Sequence, residues 1–231
     1  MSRRTYVGVA VAAGLLAAAL IVASLVGARA GESAPDKNVP ARAASALLRS
    51  IPQQGPALGR PDAPVTLVEF ADIQCPYCAE WSNVAFEEIV RDYVRPGKVR
   101  IVFSGLAFIG PDSEQGLRFA HAAGRQGKLW QAVHLLYANQ GPENSGWVSD
   151  KLLKEIGASI PGLDVERALR ESYSPVVDRQ ITKAGEAAAQ LGVRGTPSFA
   201  AGRTGATLQP VSVSSLDADA LRPALDSLLA E

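Results

Sequence analysis

The sequence predicts an α/β domain with an all-helical insertion after its second core strand. Three observations support this fold class. An apolar, β-prone run at 65–70 precedes a helical pattern and a second β-prone run at 99–103. Residues 111–173 then show helical patterns and no run typical of a strand. A long helix, two short β-prone runs and a last helix complete the chain, an order that is typical of a sheet covered by helices.

The N-terminal segment predicts export from the cytoplasm. Residues 1–5 carry two arginines, and an uncharged apolar run follows at 6–28. Such a run is roughly 35 Å long as a helix and can cross a bilayer of about 30 Å. Because basic residues that precede a span stay inside, we predict a transmembrane signal anchor with a cytoplasmic N-terminus. The alternative is a cleavable signal peptide, because Ala28-Arg29-Ala30 has the small-x-small form of a cleavage site.

A linker is predicted at 29–59, where Pro, Ala, Ser and Gln occur with mixed charge. A short helix from Ala41 to Ile51 is predicted within it. The globular domain is then expected at 60–231. Both interpretations of the N-terminus place this domain outside the cytoplasm, where disulfides form and persist.

The charge balance argues against nucleic-acid binding. The chain has 23 basic and 23 acidic residues, and no basic stretch is interleaved with aromatic residues. A multi-disulfide framework is also excluded, because the chain has only two cysteines.

Those two cysteines form the motif Cys75-Pro76-Tyr77-Cys78. The motif lies between the first predicted strand and the first predicted helix, so Cys75 is expected at a helix N-terminus. Free amides and the positive end of the helix dipole stabilise a thiolate there. The pattern therefore predicts thiol–disulfide chemistry.

The strand at 65–70 is expected to be central and buried on both faces, because its apolar run is nearly continuous. The helix after the cysteines is predicted from about Ala79 to Val94, where Arg95-Pro96-Gly97 ends it. Its predicted apolar stripe consists of Trp81, Val84, Ala85, Phe86, Ile89, Val90 and Tyr93. The strand at 99–103 should pair in parallel with the first strand through a right-handed crossover.

Four helices are predicted in the insertion. Asp112 or Ser113 can cap the first, and Leu129 to Tyr137 form the apolar part of the second. Ser149 is expected to cap the third, and the fourth should start near Asp164.

After the insertion, Ser174 followed by proline predicts the start of a long helix, and Gly192 predicts its end. Two strands are predicted, at 198–201 and at about 207–213. The final helix is predicted from about 217 to 229, with leucines 221, 225 and 228 on one face.

This order of elements resembles the thioredoxin fold, and with the helical insertion the chain resembles the DsbA family of exported thiol–disulfide oxidoreductases. The membrane-anchored members from Gram-positive and actinobacterial lineages are the most similar in organisation. The resemblance covers roughly 64–231. Its most specific motifs are Phe70-Ala71-Asp72-Ile73-Gln74-Cys75-Pro76-Tyr77-Cys78 and Val193-Arg194-Gly195-Thr196-Pro197-Ser198-Phe199.

The resemblance implies roles for matching residues. Cys75 is expected to be the exposed nucleophile and Cys78 the buried resolving cysteine, and the two would form the redox disulfide. Pro197, preceded by Thr196, is expected to be cis and to pack beside the sulfurs. Glu69 matches the position of the family's buried carboxylate, which helps move a proton to or from the resolving thiol.

The central dipeptide departs from well-known DsbA proteins, which have Pro-His between the cysteines. A histidine would add charge that stabilises the thiolate, whereas Tyr77 cannot. Pro76 and Tyr77 are thus expected to support the active site with a smaller effect on oxidising power.

The most direct functional hypothesis is a dithiol oxidase that introduces disulfides into exported proteins. A reductase or isomerase on the same scaffold and a non-catalytic, membrane-tethered chaperone or assembly module are the alternatives. Expected partners are exported proteins with free thiols or disulfides, the membrane, and a membrane redox partner that reoxidises the cysteines. No cofactor and no metal are expected, because His121 and His134 are the only histidines and Met1 is the only methionine.

Overall fold

The computed structural model describes residues 39–231, in which Pro40–Glu231 form one compact unit. The predicted cytoplasmic segment 1–5 and the predicted anchor 6–28 lie outside the described residues. Within 39–231, none of the helices combines the length and the apolar character that a bilayer span needs.

Three long strands form the centre of a six-stranded mixed sheet. They are β3 (Val65–Asp72), β4 (Val99–Leu106) and β5 (Ser198–Arg203). Strand β3 pairs in parallel with β4 and antiparallel with β5. Every residue of β3 is buried, which confirms the predicted central strand with two covered faces.

Shorter strands complete the sheet in the order β1-β2-β4-β3-β5-β6. At one edge, β1 (Gln53–Gln54) and β2 (Ala57–Leu58) form a hairpin that pairs with β4. At the other edge, β6 (Gln209–Val211) pairs with β5. The strand predicted at 207–213 is therefore shorter than expected, while β5 is longer.

The hairpin corrects the predicted linker at 29–59. Helix α1 (Val39–Leu47) and the β1–β2 hairpin belong to the compact unit, and Leu48 and Leu58 are buried in its core. Two-residue strands are too short to show the alternation by which strands are recognised. Composition alone therefore placed the start of the domain too late.

The helix after the cysteines is interrupted, unlike the single helix predicted from Ala79 to Val94. Helix α2 (Pro76–Val84) begins earlier because proline suits the first helical position. Helix α3 (Phe86–Ile89) and a π-helical turn (Val90–Val94) follow. The break turns Val84 outwards to 53% exposure, whereas the other six residues of the predicted stripe are buried.

The insertion contains the four predicted helices α4 (Pro111–Gly124), α5 (Leu129–Ala138), α6 (Asp150–Ser159) and α7 (Val165–Glu171). Ser149 and Asp164 cap α6 and α7 as expected, because their side chains accept hydrogen bonds from backbone amides. The prediction that Asp112 or Ser113 caps α4 is wrong. Helix α4 starts after Gly110, and both side chains bond to other parts of the chain.

The C-terminal elements follow the predicted order. Helix α8 (Pro175–Gln190) ends before Gly192, whose φ of +67° is typical of a glycine that terminates a helix. The predicted final helix is a short 3₁₀ turn (Ala218–Ala220) followed by α9 (Arg222–Ala230). Ser174 precedes α8, but its hydroxyl makes no capping bond.

An aromatic cluster holds α2 against the sheet. The ring of Trp81 lies 5.1 Å from that of Phe199 on β5 and 5.7 Å from that of Phe86, between ring centroids. Phe86 in turn stacks on Trp130 of α5 at 5.0 Å. Large buried aromatic side chains contribute much of a core's stability, so this cluster fixes the helix that carries the cysteines.

Candidate active site

Cys75 and Cys78 lie where β3 ends and α2 begins. Cys75 is the N-cap residue of α2, and both cysteines are free thiols, so the structure describes the reduced form. Cys75 is 5% exposed and Cys78 is fully buried. The expectation of an exposed nucleophile is corrected: Cys75 is largely covered, although it remains the more accessible of the two.

The surroundings of Cys75 favour its thiolate. Hydrogen bonds from the Cys78 thiol and from Thr196, together with the amides of Cys78 and Tyr77, lower the pKa of Cys75 to about 6, although burial opposes them. Sγ of Cys75 lies 3.1 Å from the carbonyl oxygen of Thr196, to which the protonated thiol donates. A thiol with this pKa is mostly ionised at pH 7.

Cys78 has the opposite character. Burial raises the pKa of Cys78 far above its usual range, and the neighbouring Cys75 and Glu69 raise it further. Cys78 therefore keeps its proton while Cys75 loses one. This asymmetry suits a couple in which one sulfur exchanges with substrates and the other closes the internal disulfide.

The loop before β5 faces Cys75. The Thr196–Pro197 peptide bond is cis, the isomer that the resemblance implies. Both residues are partly buried, so they can be reached by a segment that approaches Cys75. On the other side of the cysteines, Pro76 and Tyr77 are exposed, and Tyr77 has 61% of its surface free.

Glu69 is a buried carboxyl on β3. It is 1% exposed, and its Oε1 atom has no hydrogen-bond partner among the described residues. Burial raises the pKa of Glu69 to about 8. The side chain is therefore protonated at pH 7, and it lies close enough to Cys78 to affect that thiol.

Tyr137 is a residue near the cysteines that the sequence did not indicate, because it falls in the apolar stripe of α5. Its hydroxyl is buried without a partner in the described part of the chain. Burial raises the pKa of Tyr137 well above its usual value, and the charges of Cys78 and Glu69 add to the effect. The side chains of Cys78, Glu69 and Tyr137 thus meet in the apolar interior behind Cys75.

Gln74 joins the turn before Cys75 to the helical insertion. Nothing in the sequence indicates this structural role. Its Nε2 donates to the Ser113 hydroxyl and to Oδ1 of Asn144, each at 3.0 Å. Its Oε1 accepts from the Asn144 amide at 2.7 Å and from the Trp147 indole at 3.4 Å. Gln74 is only 2% exposed; its bond to Ser113 is buried, and those to Asn144 and Trp147 are partly buried.

Asp72 and Gln140 strengthen the same connection. Asp72 accepts hydrogen bonds from the amides of Gln74 and Ile109 at 2.8 and 3.0 Å. Gln140 donates to the carbonyl oxygens of Ile73 at 2.8 Å and Cys75 at 3.2 Å. The insertion therefore fixes the backbone from which Cys75 projects.

Removing the side-chain amide of Gln74 should destabilise the domain. Gln74→Leu removes the buried bond to Ser113 and the partly buried bonds to Asn144 and Trp147, and a buried group left without its partner costs about 1–3 kcal/mol. We expect the free energy of unfolding to fall by about 3 kcal/mol in chemical denaturation. Gln115→Leu is the matched control, because the side chain of Gln115 bonds to Asp150 at the surface and to no other side chain within 39–231. A loss for Gln74→Leu no larger than for Gln115→Leu would contradict the bridging role.

Neither histidine belongs to this site. Burial lowers the pKa of His121 and of His134 to about 4, so both are neutral at pH 7. Nδ1 of His134 lies 2.7 Å from the Ser82 hydroxyl. Throughout 39–231, no group of three or more His, Cys, Asp or Glu side chains is placed to hold a metal ion.

Comparison with known proteins agrees with this geometry. The family model described as "Thioredoxin" matches residues 52–218. The chain is 33% identical over 145 residues to "Probable disulfide bond formation protein D" of Bacillus cereus, which covers 62% of this chain and 67% of the relative.

Solved structures are similar in fold. The oxidised form of BdbD from Bacillus subtilis superimposes with a TM-score of 0.66 at 22% identity, over 78% of this chain and 98% of the other. A thioredoxin-like oxidoreductase from Silicibacter pomeroyi gives a TM-score of 0.58 at 28% identity, over 81% and 98%. The chain therefore belongs to the thioredoxin family, and within it to the DsbA-like protein thiol–disulfide oxidoreductases.

Proposed function

We propose that the protein is an extracytoplasmic dithiol oxidase that introduces disulfides into exported proteins through the Cys75–Cys78 couple. The observation that supports this direction most is the stabilised thiolate of Cys75. A low thiol pKa stabilises the reduced enzyme relative to the disulfide, and this raises oxidising power.

The reaction proceeds by two exchanges. A substrate thiolate attacks Sγ of Cys75 in the oxidised enzyme, a substrate–Cys75 bond forms, and the Cys75–Cys78 bond breaks. Its electron pair goes to Cys78, which takes up a proton, and the donor assigned to this step is Glu69. A second substrate thiolate then attacks the substrate sulfur and releases Cys75 as a thiolate. The substrate gains a disulfide, and the enzyme becomes a dithiol.

Substrate selection rests on backbone contacts. The partly exposed Thr196–Pro197 segment lies beside Cys75 and can pair with an extended chain in the manner of a β-strand. Such pairing accepts many sequences, which suits an enzyme that acts on diverse exported proteins. Exposed Tyr77 offers an apolar contact next to the reacting sulfur.

The proposal also assigns the location and the partners. The apolar segment 6–28 would anchor the protein in the membrane, with 60–231 outside the cytoplasm. Cleavage near Ala30 would release it instead. A membrane redox partner would accept the electrons of the reduced Cys75–Cys78 pair and restore the disulfide.

The reduction potential of the couple tests the direction. Equilibration of the full chain with glutathione should give a value between about −270 mV, which is typical of thioredoxin, and about −120 mV, which is typical of DsbA. The value should stay below the upper limit, because Tyr77 adds no positive charge between the cysteines. A potential at or below thioredoxin's would refute the oxidase and favour the reductase.

The reduction potential of the couple should also depend on pH, which the same equilibration with glutathione can measure. Below the pKa of Cys75, which is about 6, reduction takes up two protons and the potential falls by about 59 mV per pH unit. Above that pH Cys75 stays ionised, so only Cys78 takes up a proton and the slope falls to about 30 mV per unit. A slope that stays near 59 mV from pH 5 to pH 8 would contradict the stabilised thiolate.

An isomerase is the second candidate, and the exposed Tyr77 favours it. Without a charged side chain between the cysteines, the couple is a milder oxidant, and a milder couple also reduces wrong disulfides. The recovery of activity of a scrambled disulfide protein in the presence of the reduced enzyme would distinguish this function from simple oxidation.

A further inference from the structure

Tyr137 of α5 carries a buried hydroxyl group that the proposed mechanism does not use. The residue is 5% exposed, and its hydroxyl oxygen has no hydrogen-bond partner within 39–231. A phenylalanine would fill the same space without leaving a polar group unsatisfied, so the hydroxyl costs stability. Buried polar groups are nearly always paired, and one that is not calls for an explanation, of which a catalytic role is one.

Two hydrogen bonds fix how α5 lies against α2. At one end, Nδ1 of His134 lies 2.7 Å from the Ser82 hydroxyl. At the other end, the side chain of Gln140 donates to the carbonyl oxygen of Cys75 at 3.2 Å. The two segments therefore run in opposite directions, and the middle of one faces the middle of the other.

Tyr137 and Cys78 occupy these two middles. Tyr137 follows His134 by three positions in α5, and the Gln140 amide donates to the Tyr137 carbonyl oxygen at 3.2 Å, so one more turn follows. Residues three positions apart lie on the same face of a helix. On α2, Cys78 is one turn from each of the two bonded residues. In agreement with this register, burial raises the pKa of Tyr137 most, and Cys78 has the largest effect among the charged groups.

Sγ of Cys78 needs a hydrogen-bond donor at one moment of the reaction. When a substrate thiolate attacks Cys75, the electron pair of the broken bond goes to Cys78, and a negative charge appears in an apolar interior. Burial, Cys75 and Glu69 raise the pKa of Cys78, and the backbone of Asp72 offsets them only in part. A hydrogen bond to a charged group is stronger than one between neutral groups, and a donor that meets a developing charge accelerates the step.

We propose that the Tyr137 hydroxyl donates a hydrogen bond to Sγ of Cys78 while the internal disulfide opens and while it closes. Tyr137 keeps its own proton, and the proton that Cys78 finally takes up comes from Glu69, the acid assigned to that step. In the reduced enzyme the hydroxyl makes no hydrogen bond, so it stabilises the transition state and not the product. The inference rests on the Cys75–Cys78 couple of the proposed function, but not on the direction in which the couple works.

Tyr137→Phe tests the assignment, because it removes the hydroxyl and keeps the ring. In rapid-quench experiments on the full chain in detergent, dithiothreitol should open the internal disulfide at least about tenfold more slowly than in wild type, as the loss of a hydrogen bond to a charged group implies. Closing of the mixed disulfide with glutathione should slow by the same factor, so the reduction potential should stay at the wild-type value. The free energy of unfolding should not fall, since the folded protein loses no hydrogen bond.

Tyr93→Phe is the matched control, because the ring of Tyr93 is also buried but its hydroxyl donates to Asp226 of α9. It should keep the wild-type rates. Wild-type rates in Tyr137→Phe would overturn this inference and leave the proposed function intact, whereas a wild-type protein that exchanges no disulfides would refute both. A slower opening that is matched by an equal change in the equilibrium of the couple would also overturn the inference, since the hydroxyl would then act on a resting state.

The double variant Glu69→Gln/Tyr137→Phe separates an action on the sulfur from an action on the carboxyl group. If the hydroxyl donates to Cys78, its removal should slow the opening in the Glu69→Gln background by the same factor as in wild type. An effect of Tyr137→Phe that disappears in this background would mean that the hydroxyl acts through Glu69, and this too would overturn the proposal.

Discussion

Cys78→Ser should convert the enzyme into a trap that holds its partners covalently through Cys75. Reduced Cys75 still attacks a disulfide, because the serine hydroxyl can donate to its thiolate in place of the Cys78 thiol, and Thr196 and the amides of positions 77 and 78 stay in place. Without the Cys78 thiol, the mixed disulfide has no internal group to resolve it. We expect dithiol-oxidation turnover to fall to the uncatalysed rate, while thiol-sensitive adducts with exported proteins accumulate on non-reducing gels.

Cys75→Ser is the matched control for this experiment. Cys78 is fully buried and burial raises the pKa of its thiol strongly, so it should form no adducts when it is the only cysteine. Equal adduct formation by the two single variants would mean that the sulfurs are not divided into attacking and resolving roles. Retained turnover in Cys78→Ser would contradict the redox couple itself.

The long elements of the fold could be predicted because each carries its own signal. Strand β3 has a nearly continuous apolar run, and α6 and α7 have capping residues at the expected positions. The β1–β2 hairpin could not be predicted, since two-residue strands have no periodicity and exist only through pairing with β4. The break after Val84 is also a tertiary effect, because the apolar pattern runs through it without interruption.

The site could be predicted only where its chemistry is local in the sequence. The two cysteines could be recognised by their spacing, and Thr196-Pro197 could be recognised by its sequence motif. Gln74 gave no signal, because its partners lie 39 to 73 positions away in the chain. Tyr137 was hidden for another reason: a tyrosine in an apolar stripe is usually a packing residue, and only the fold places its hydroxyl near Cys78.

The burial of Glu69 should make the stability of the domain depend on pH in an unusual direction. The pKa of Glu69 is raised to about 8 in the folded state, whereas an unfolded chain has a glutamate pKa of about 4.3. Between these values the folded state holds a proton that the unfolded state has lost. The contribution of this group is therefore fully present below about pH 4 and is lost progressively as pH rises to about 8.

Glu69→Gln should remove this loss of stability at rising pH, because a glutamine side chain cannot ionise. The free energy of unfolding of the variant minus that of wild type should rise by on the order of 4 kcal/mol from pH 5 to pH 8. Measuring both proteins in the disulfide form keeps the titration of the thiols out of the difference. Glu87→Gln, which removes an exposed carboxylate of α3, controls for the general effect of losing a charge.

The same variant tests the proton transfer that the mechanism assigns to Glu69. With glutamine at this position, no carboxylic acid remains beside Cys78 to supply its proton when the internal disulfide opens, and the hydroxyl of Tyr137 is a far weaker acid because its pKa is raised. Formation of the mixed disulfide should then slow by on the order of 10²-fold, while the thiolate of Cys75, which depends on other groups, titrates as in wild type. A parallel shift in the titration of Cys75 would mean that Glu69 acts through the structure of the whole site. An unchanged rate together with the predicted stability profile would leave Glu69 as a buried acid with no part in the exchange.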